Sequence, residues 1–210
     1  FNENTSIGFY EIAKIQYESD LNSALKNILK SIELKKGFPP FIKLHLNIIS
    51  RLKSKKHLSK LIKQYWYSYP SALLRNIITE VIVENNLGNL KFINDLIKNN
   101  SNSDESKKLL IFFAIKELKW NIARENIAGL IGVNPSREIC YFMSDIELGE
   151  NNDKQKSDAW ILRAENSSTN STWICRISNQ YQEEWSSISN SGNYNSLVWT
   201  TTKMLMDHKN

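Results

Sequence analysis

Between residues 7 and 165 the apolar positions recur three and four apart, the spacing of one face of an α-helix. The pattern runs through Ile12 and Ile15, then Leu21, Leu25, Ile28, Leu29 and Ile32, then Leu44, Ile48, Ile49 and Leu52. It continues through Leu73, Leu74, Ile77, Ile78, Val81 and Ile82. Strict alternation, the mark of a half-buried strand, is nearly absent. Helix breakers fall at even intervals: Gly37 to Pro40, Tyr69-Pro70, Asn100 to Ser103, Asn134-Pro135 and Asn166 to Ser171. A weaker break divides each block, at Ser19-Asp20, Ser54 to Lys56, Gly88-Asn89, Lys119 to Asn121 and Gly149 to Asp153. This predicts five units of about 33 residues, each holding two helices of roughly 12 to 17 residues.

Cap chemistry points the same way. Asp20 and Asn89 stand where N-caps belong, and Pro40 and Pro135 suit first helical turns. Asn102 with Glu105 reads as a capping box. Ala13, Ala24, Ala114, Ala123 and Ala159 supply small side chains where paired helices approach. The fold class predicted is all-α: a right-handed α-α superhelix of about five helix pairs over residues 7–171. The units resemble the tetratricopeptide repeat, without the repeat's full set of signature residues. Residues 1–5 and 201–210 read as frayed ends.

After Ser171 the pattern changes. Residues 172–200 are short, aromatic and rich in turn formers. Alternation places Trp173, Cys175 and Ile177 on one face. Two or three short β-segments are expected to fold back on the last helix pair as a cap over the array's apolar end.

Composition narrows the function classes. The chain has 210 residues, 41% apolar and 23% charged, with only two cysteines, Cys140 and Cys175. That excludes wholesale disorder and a disulfide framework, and fits a reducing compartment. The longest apolar run, Leu109 to Ile115, is far short of the ~20 residues needed to cross a bilayer. Phe1 stands where a Met would begin a chain, so an upstream segment is expected.

The net charge of +5 is unevenly spread. No acid occurs between Glu33 and Glu80, where Lys35, Lys36, Lys43, Arg51, Lys53, Lys55, Lys56, Lys60, Lys63 and Arg75 fall. A one-sign block favours anionic partners: an acidic protein, a membrane surface or nucleic acid. In a repeat array the first helices line the groove. Lys14, Tyr17, Lys43, Asn47, Arg51, Arg75 and Thr79 are the groove residues expected to hold an acidic peptide or a carboxylate-bearing ligand. Lys53, Lys55, Lys56, Lys60 and Lys63 form a separate basic patch. Tyr65, Trp66, Tyr67 and Tyr69 beside Lys60 and Lys63 suggest either a stacking platform for bases or ordinary helix packing.

The tail carries the most specific pattern, W-I-C-x(9)-W-x(6)-G-x-Y-x-x-L-x-W. With the repeats before it, this resembles the C-terminal end of the HemY family of tetratricopeptide proteins, encoded among late haem-biosynthesis genes in proteobacteria. Trp173, Cys175, Trp185, Gly192, Tyr194, Leu197 and Trp199 carry the match as a structural motif. The resemblance implies two upstream membrane helices, with this domain on the cytoplasmic side of the inner membrane. It also implies protein partners among late haem-pathway enzymes, with tetrapyrrole contact as a separate expectation. Members richer in cysteine look like a small zinc ribbon. Here one thiol, Cys175, stands with Ser178, Ser189 and Gly192, and no metal or other cofactor is expected.

No metal-binding, nucleophile or phosphate-loop motif occurs. His45, His57 and His208 are dispersed, with His45 among apolar neighbours. The expectation is a non-enzymatic scaffold working through protein–protein contacts. The alternatives are a binder of anionic membrane or nucleic acid through Lys35–Lys63, and a repeat regulator of the lipopolysaccharide-assembly type. The loss of cysteines weighs against the latter.

Overall fold

The computed structural model describes residues 2–167 and 171–200, and among these the chain is mostly helical with one small sheet. Ten helices precede three strands: α1 Asn2–Gln16, α2 Leu21–Leu34, α3 Pro39–Leu52, α4 Lys55–Ser68 and α5 Ala72–Glu84, then α6 Leu90–Ile97, α7 Asp104–Lys116, α8 Trp120–Ala128, α9 Arg137–Asn151 and α10 Lys154–Glu165. The strands are β1 Thr172–Cys175, β2 Tyr181–Gln182 and β3 Leu197–Thr200. β1 lies between the other two, antiparallel to both, with Trp173 opposite Trp199 and Cys175 opposite Leu197.

Local chemistry sets the helix starts. Asp20 accepts from the backbone N–H groups of Asn22 and Ser23, and Asn89 from that of Phe92, as N-caps do. Pro39 and Pro40 open α3, where no amide donor is needed. Two start signals and one break are corrected. Ser103 rather than Asn102 caps α7, accepting from the Ser106 N–H. Ser136 caps α9, leaving Pro135 outside that helix, and Gly149 lies within α9 rather than in the break after it. The helices also run shorter than expected where α6 and α8 have 8 and 9 residues.

The helices pack in sequence: α1 with α2, α3 with α4, α7 with α8, α9 with α10, while α6 lies against α4 and α7. The odd-numbered helices α3, α5, α7 and α9 are also successive neighbours, so they build one continuous face. Ala13, Ala24, Ala114 and Ala123 are fully buried, each allowing a close approach. Ala159 is instead exposed, and Ser157 and Ala164 take the buried positions of α10. The apolar run of α7 is enclosed from several sides: Leu109, Ile111, Phe113 and Ala114 are almost wholly buried. No helix among the described residues is long and apolar enough to cross a membrane.

Two expectations about the ends change. Residues 2–5 are not frayed. They form the first turn of α1, where Glu3 pairs with Lys35 at 2.6 Å and Ser6 and Ile7 are buried behind it. Residues 1 and 201–210, including His208, lie outside the described residues. The sheet packs its tryptophans on the start of the array, not on the last helix pair. Trp173, Cys175, Trp185 and Leu197 share a core with Ile7, Ala13, Phe41 and Ile48. The physical reason is aromatic matching. Trp185 meets Tyr10, Phe38 and Phe41 edge-on, with centroids 5.2, 5.1 and 5.9 Å away.

Candidate functional site

The odd-helix face carries the candidate site, and the sheet segment forms one wall of it. Lys14 from α1 with Lys43 and Asn47 from α3 line a cavity of about 210 Å³. Tyr10, Leu44, Leu73 and Ile77 supply apolar lining, and Trp173 and Trp185 close the side toward the sheet. Period-four spacing puts Lys43 and Asn47 on one stripe of α3. The sheet wall was not legible from helix periodicity, because it comes from a segment more than a hundred positions away.

Lys43 is already engaged. Its ammonium lies 3.0 Å from Glu80 on α5 and 3.3 Å from Glu184 in the segment between β2 and β3. Burial opposes its charge, but the two carboxylates outweigh that and hold the ammonium above the ordinary lysine value. Lys14 and Asn47 have no side-chain partner among the described residues, so they are the open polar groups of this cavity. Tyr10 sits in the apolar wall, where burial and the nearby Glu11 and Glu184 push its phenol up to about 12.

The other expected groove residues lie apart from this cavity. Arg51 stacks on the Tyr17 ring at 4.6 Å and donates to the Tyr17 carbonyl at 3.1 Å, joining α3 to the end of α1. Arg75 is corrected from a ligand-facing cation to a buried tie. Its side chain is 8% exposed, with Glu105 at 2.8 Å and Glu138 at 2.5 Å. It thereby links α5, α7 and α9, and Lys108 completes the cluster 2.8 Å from Glu105. Glu105 and Glu138 sit in first helical turns, which favour negative charge. Thr79 donates to the Arg75 carbonyl at 2.8 Å.

Outside this cavity, Lys53, Lys55, Lys56 and Lys60 are exposed and have no carboxylate within salt-bridge distance among the described residues. Lys63 pairs with Asp95 and lies over the Phe92 ring at 5.2 Å. Of the two readings of the aromatic run beside them, helix packing is the one observed and no stacking platform forms. Tyr65 and Trp66 are buried, and Trp66 donates its indole N–H to Asn100 at 3.2 Å. Only Tyr67 of that group is largely exposed, so stacked bases would find one ring there.

His45 is likewise enclosed, 5% exposed, sharing a 2.6 Å hydrogen bond between Nδ1 and the Tyr65 hydroxyl. Burial pulls its pKa down to about 4, so it is neutral at pH 7. Cys140 is buried in α9 near Ser167.

The tail motif divides in two. Trp173, Cys175, Trp185 and Leu197 are buried, and Trp199 packs on Trp173 with centroids 5.4 Å apart. Tyr194 is half exposed, Gly192 takes a positive φ of 80° in a turn, and Ile177 is exposed rather than sharing a face with Trp173. Around Cys175 the neighbours are hydroxyls and amides. Its thiol donates to Ser196 at 3.2 Å, and its sulfur accepts from the Ser178 N–H at 3.4 Å and Ser191 at 3.5 Å. Burial opposes ionisation, the hydrogen bonds donated by Ser178 and Ser191 favour it, and the thiol is drawn down to about 5. One thiol among serines lacks the soft or borderline ligands zinc takes, so these residues do not fit that ion. Among the described residues no three His, Cys, Asp or Glu side chains converge.

No family model matches the chain, and no curated protein matches it.

Proposed function

We propose that this chain is a non-enzymatic helical-repeat scaffold, with the odd-helix face as the concave wall of a right-handed superhelix of the tetratricopeptide type. A partner protein's extended segment lies along that wall. The observation that carries this is the cavity where Lys14, Lys43 and Asn47 ring an apolar floor beside Trp173 and Trp185. Its volume is below the ~300–1,000 Å³ of small-molecule pockets, which suits one apolar side chain with a neighbouring carboxylate. Exposed ion pairs give only ~0.2–1 kcal/mol each, so tethering near the partner at a membrane supplies the remaining effective concentration. The HemY-like tail motif supports assignment to late haem biosynthesis at the cytoplasmic face of the inner membrane.

A photo-crosslinking residue placed at Asn47, and separately at Lys60, tests this in the full-length protein in its native membrane. Attachment of a defined protein from position 47 and not from 60 is expected. Adducts from position 60 alone, to lipid or nucleic acid, would overturn the reading in favour of the basic patch.

A second reading, direct tetrapyrrole binding, has one observation in its favour. A cavity of about 500 Å³ lies on the other side of Trp173, lined by Phe38, Trp185 and Trp199 with Lys35 and Arg176. Titration with protoporphyrin would produce a saturable Soret shift lost in Arg176→Ala. An unshifted band dismisses it.

A further inference from the structure

Across α5 from the Lys14 cavity, the odd-helix face changes sign. A third cavity, of about 390 Å³, opens between α5, α7 and α9. Phe112, Tyr141 and Phe142 line it, with Asn76, Thr79 and Asp145 among its polar groups. Arg75 and Glu138 also line it, and with Lys108 and Glu105 beside it they cancel one another: both cations are engaged with both carboxylates. Asp145 is left over. It has no cation within salt-bridge distance among the described residues. Lys116 lies 5.5 Å over the Phe112 ring without pairing with it. Asp145 is exposed at the cavity's mouth, and desolvation by the neighbouring side chains raises its carboxyl from the ordinary value.

An uncompensated carboxylate beside aromatic rings favours one class of occupant. Ring faces attract cations, and the carboxylate adds direct Coulomb attraction. Tyr141 is 44% exposed, so its ring is within reach of an incoming group. An anion would meet Asp145 and the ring faces unfavourably, and a neutral apolar group would strip water from the carboxylate without replacing it. A planar guanidinium stacks on rings and donates to carboxylates at once, which an ammonium does less well.

We propose that this cavity takes an arginine side chain from the partner segment, with Asp145 as its counter-ion and Tyr141 as its stacking surface. This rests on the reading of the odd-helix face as a docking wall. It adds a polarity to it: an acidic residue near Lys14 and Asn47, a basic one near Asp145.

The test uses the 210-residue chain labelled with ¹⁵N and three small probes. These are Nα-acetyl-arginine methylamide, its neutral norvaline analogue and Nα-acetyl-glutamate methylamide. The arginine probe should shift the amides of Thr79, Tyr141 and Asp145 saturably. The norvaline probe should bind there at least about threefold more weakly. Asp145→Asn should weaken the arginine probe by roughly threefold to tenfold, and Asp145→Glu should restore it. Equal shifts from arginine and norvaline, equal binding to Asp145→Asn, or no saturable shift at these amides each overturn the proposal. The glutamate probe reports separately on the amides of Lys14 and Asn47. Its failure there bears on the docking wall, not on the arginine site.

Discussion

The Trp185 ring stands edge-on to the Tyr10 ring, with centroids 5.2 Å apart and planes at 76°. The contact joins the first helix to the segment between β2 and β3. Two further edge-on partners, Phe38 and Phe41, complete the aromatic cluster. Because one face of this tryptophan also walls the Lys14 cavity, the fold's closure and its candidate site depend on the same side chain.

Trp185→Ala should therefore cost about 3–5 kcal/mol, the usual range for truncating a buried aromatic. Guanidinium unfolding of the variant is the measurement. Amide exchange should show protection lost first in β1 and β3 and in the first turns of α1. A cost below about 1 kcal/mol, with that protection unchanged, would mean that Trp185 is not a clasp between α1 and the β2–β3 segment.

A second prediction concerns Arg75. Its removal leaves Glu105 and Glu138 partly buried, with Lys108 as the one cation still within reach of both. Losing one partner of a fully buried pair costs ~3–5 kcal/mol, and the 22% and 26% exposure of these glutamates together with the remaining Lys108 lowers that to about 1–2. Arg75→Met should show this loss in urea midpoints. Adding Glu105→Gln and Glu138→Gln should recover most of it, since the burden is unpaired charge rather than lost volume. A triple variant as unstable as Arg75→Met would instead point to packing by the arginine stem.

How far the sequence disclosed this arrangement depends on the range of the interaction. Period-four apolar spacing and the caps Asp20 and Asn89 are local, and the helices they predict are present. Lys14, Lys43 and Asn47 were also within reach, since helix phase alone puts them on one face. Arg75 had the same phase, but its fate was set by Glu105 and Glu138, which lie on two other helices. No periodicity encodes such a meeting. Trp185 was recognisable as structural, yet its destination depended on Tyr10, Phe38 and Phe41 forming an aromatic socket near the opposite end of the chain. Asp145 passed unnoticed for a related reason: what distinguishes it is the lack of a cation around it in space.

The third prediction follows from His45. With a folded pKa of about 4 against an ordinary value near 6.5, the imidazole is protonated in the unfolded chain before the folded one. The unfolded state then binds more protons, so stability falls as pH drops through that window and is fully present above it. The full difference amounts to about 3 kcal/mol, lost progressively between pH 6.5 and 4. His45→Gln keeps a polar partner for the Tyr65 hydroxyl and removes the titration. The gap between wild type and variant, followed by chemical unfolding, should shrink toward acid by about that amount. A pH-independent gap would mean that His45 carries no proton linkage.

Glu184 supplies the last prediction, and it distinguishes the docking wall from an inert cleft. Its carboxylate is exposed and sits 3.3 Å from the Lys43 ammonium, where an incoming acidic side chain would compete. Glu80 keeps Lys43 charged and oriented at 3.0 Å even when Glu184 is gone. Glu184→Gln should therefore strengthen binding of the glutamate probe near Asn47, by about twofold to fivefold given the ~0.2–1 kcal/mol of an exposed pair. Added salt should shrink the gain, because exposed charges are screened within about 10 Å at 0.1 M. Stability should change by less than about 0.5 kcal/mol, as for most surface substitutions, which separates this effect from a loosened clasp. Unaltered affinity in Glu184→Gln would mean that Lys43 does not receive the partner's carboxylate and that Lys14 and Asn47 act without it.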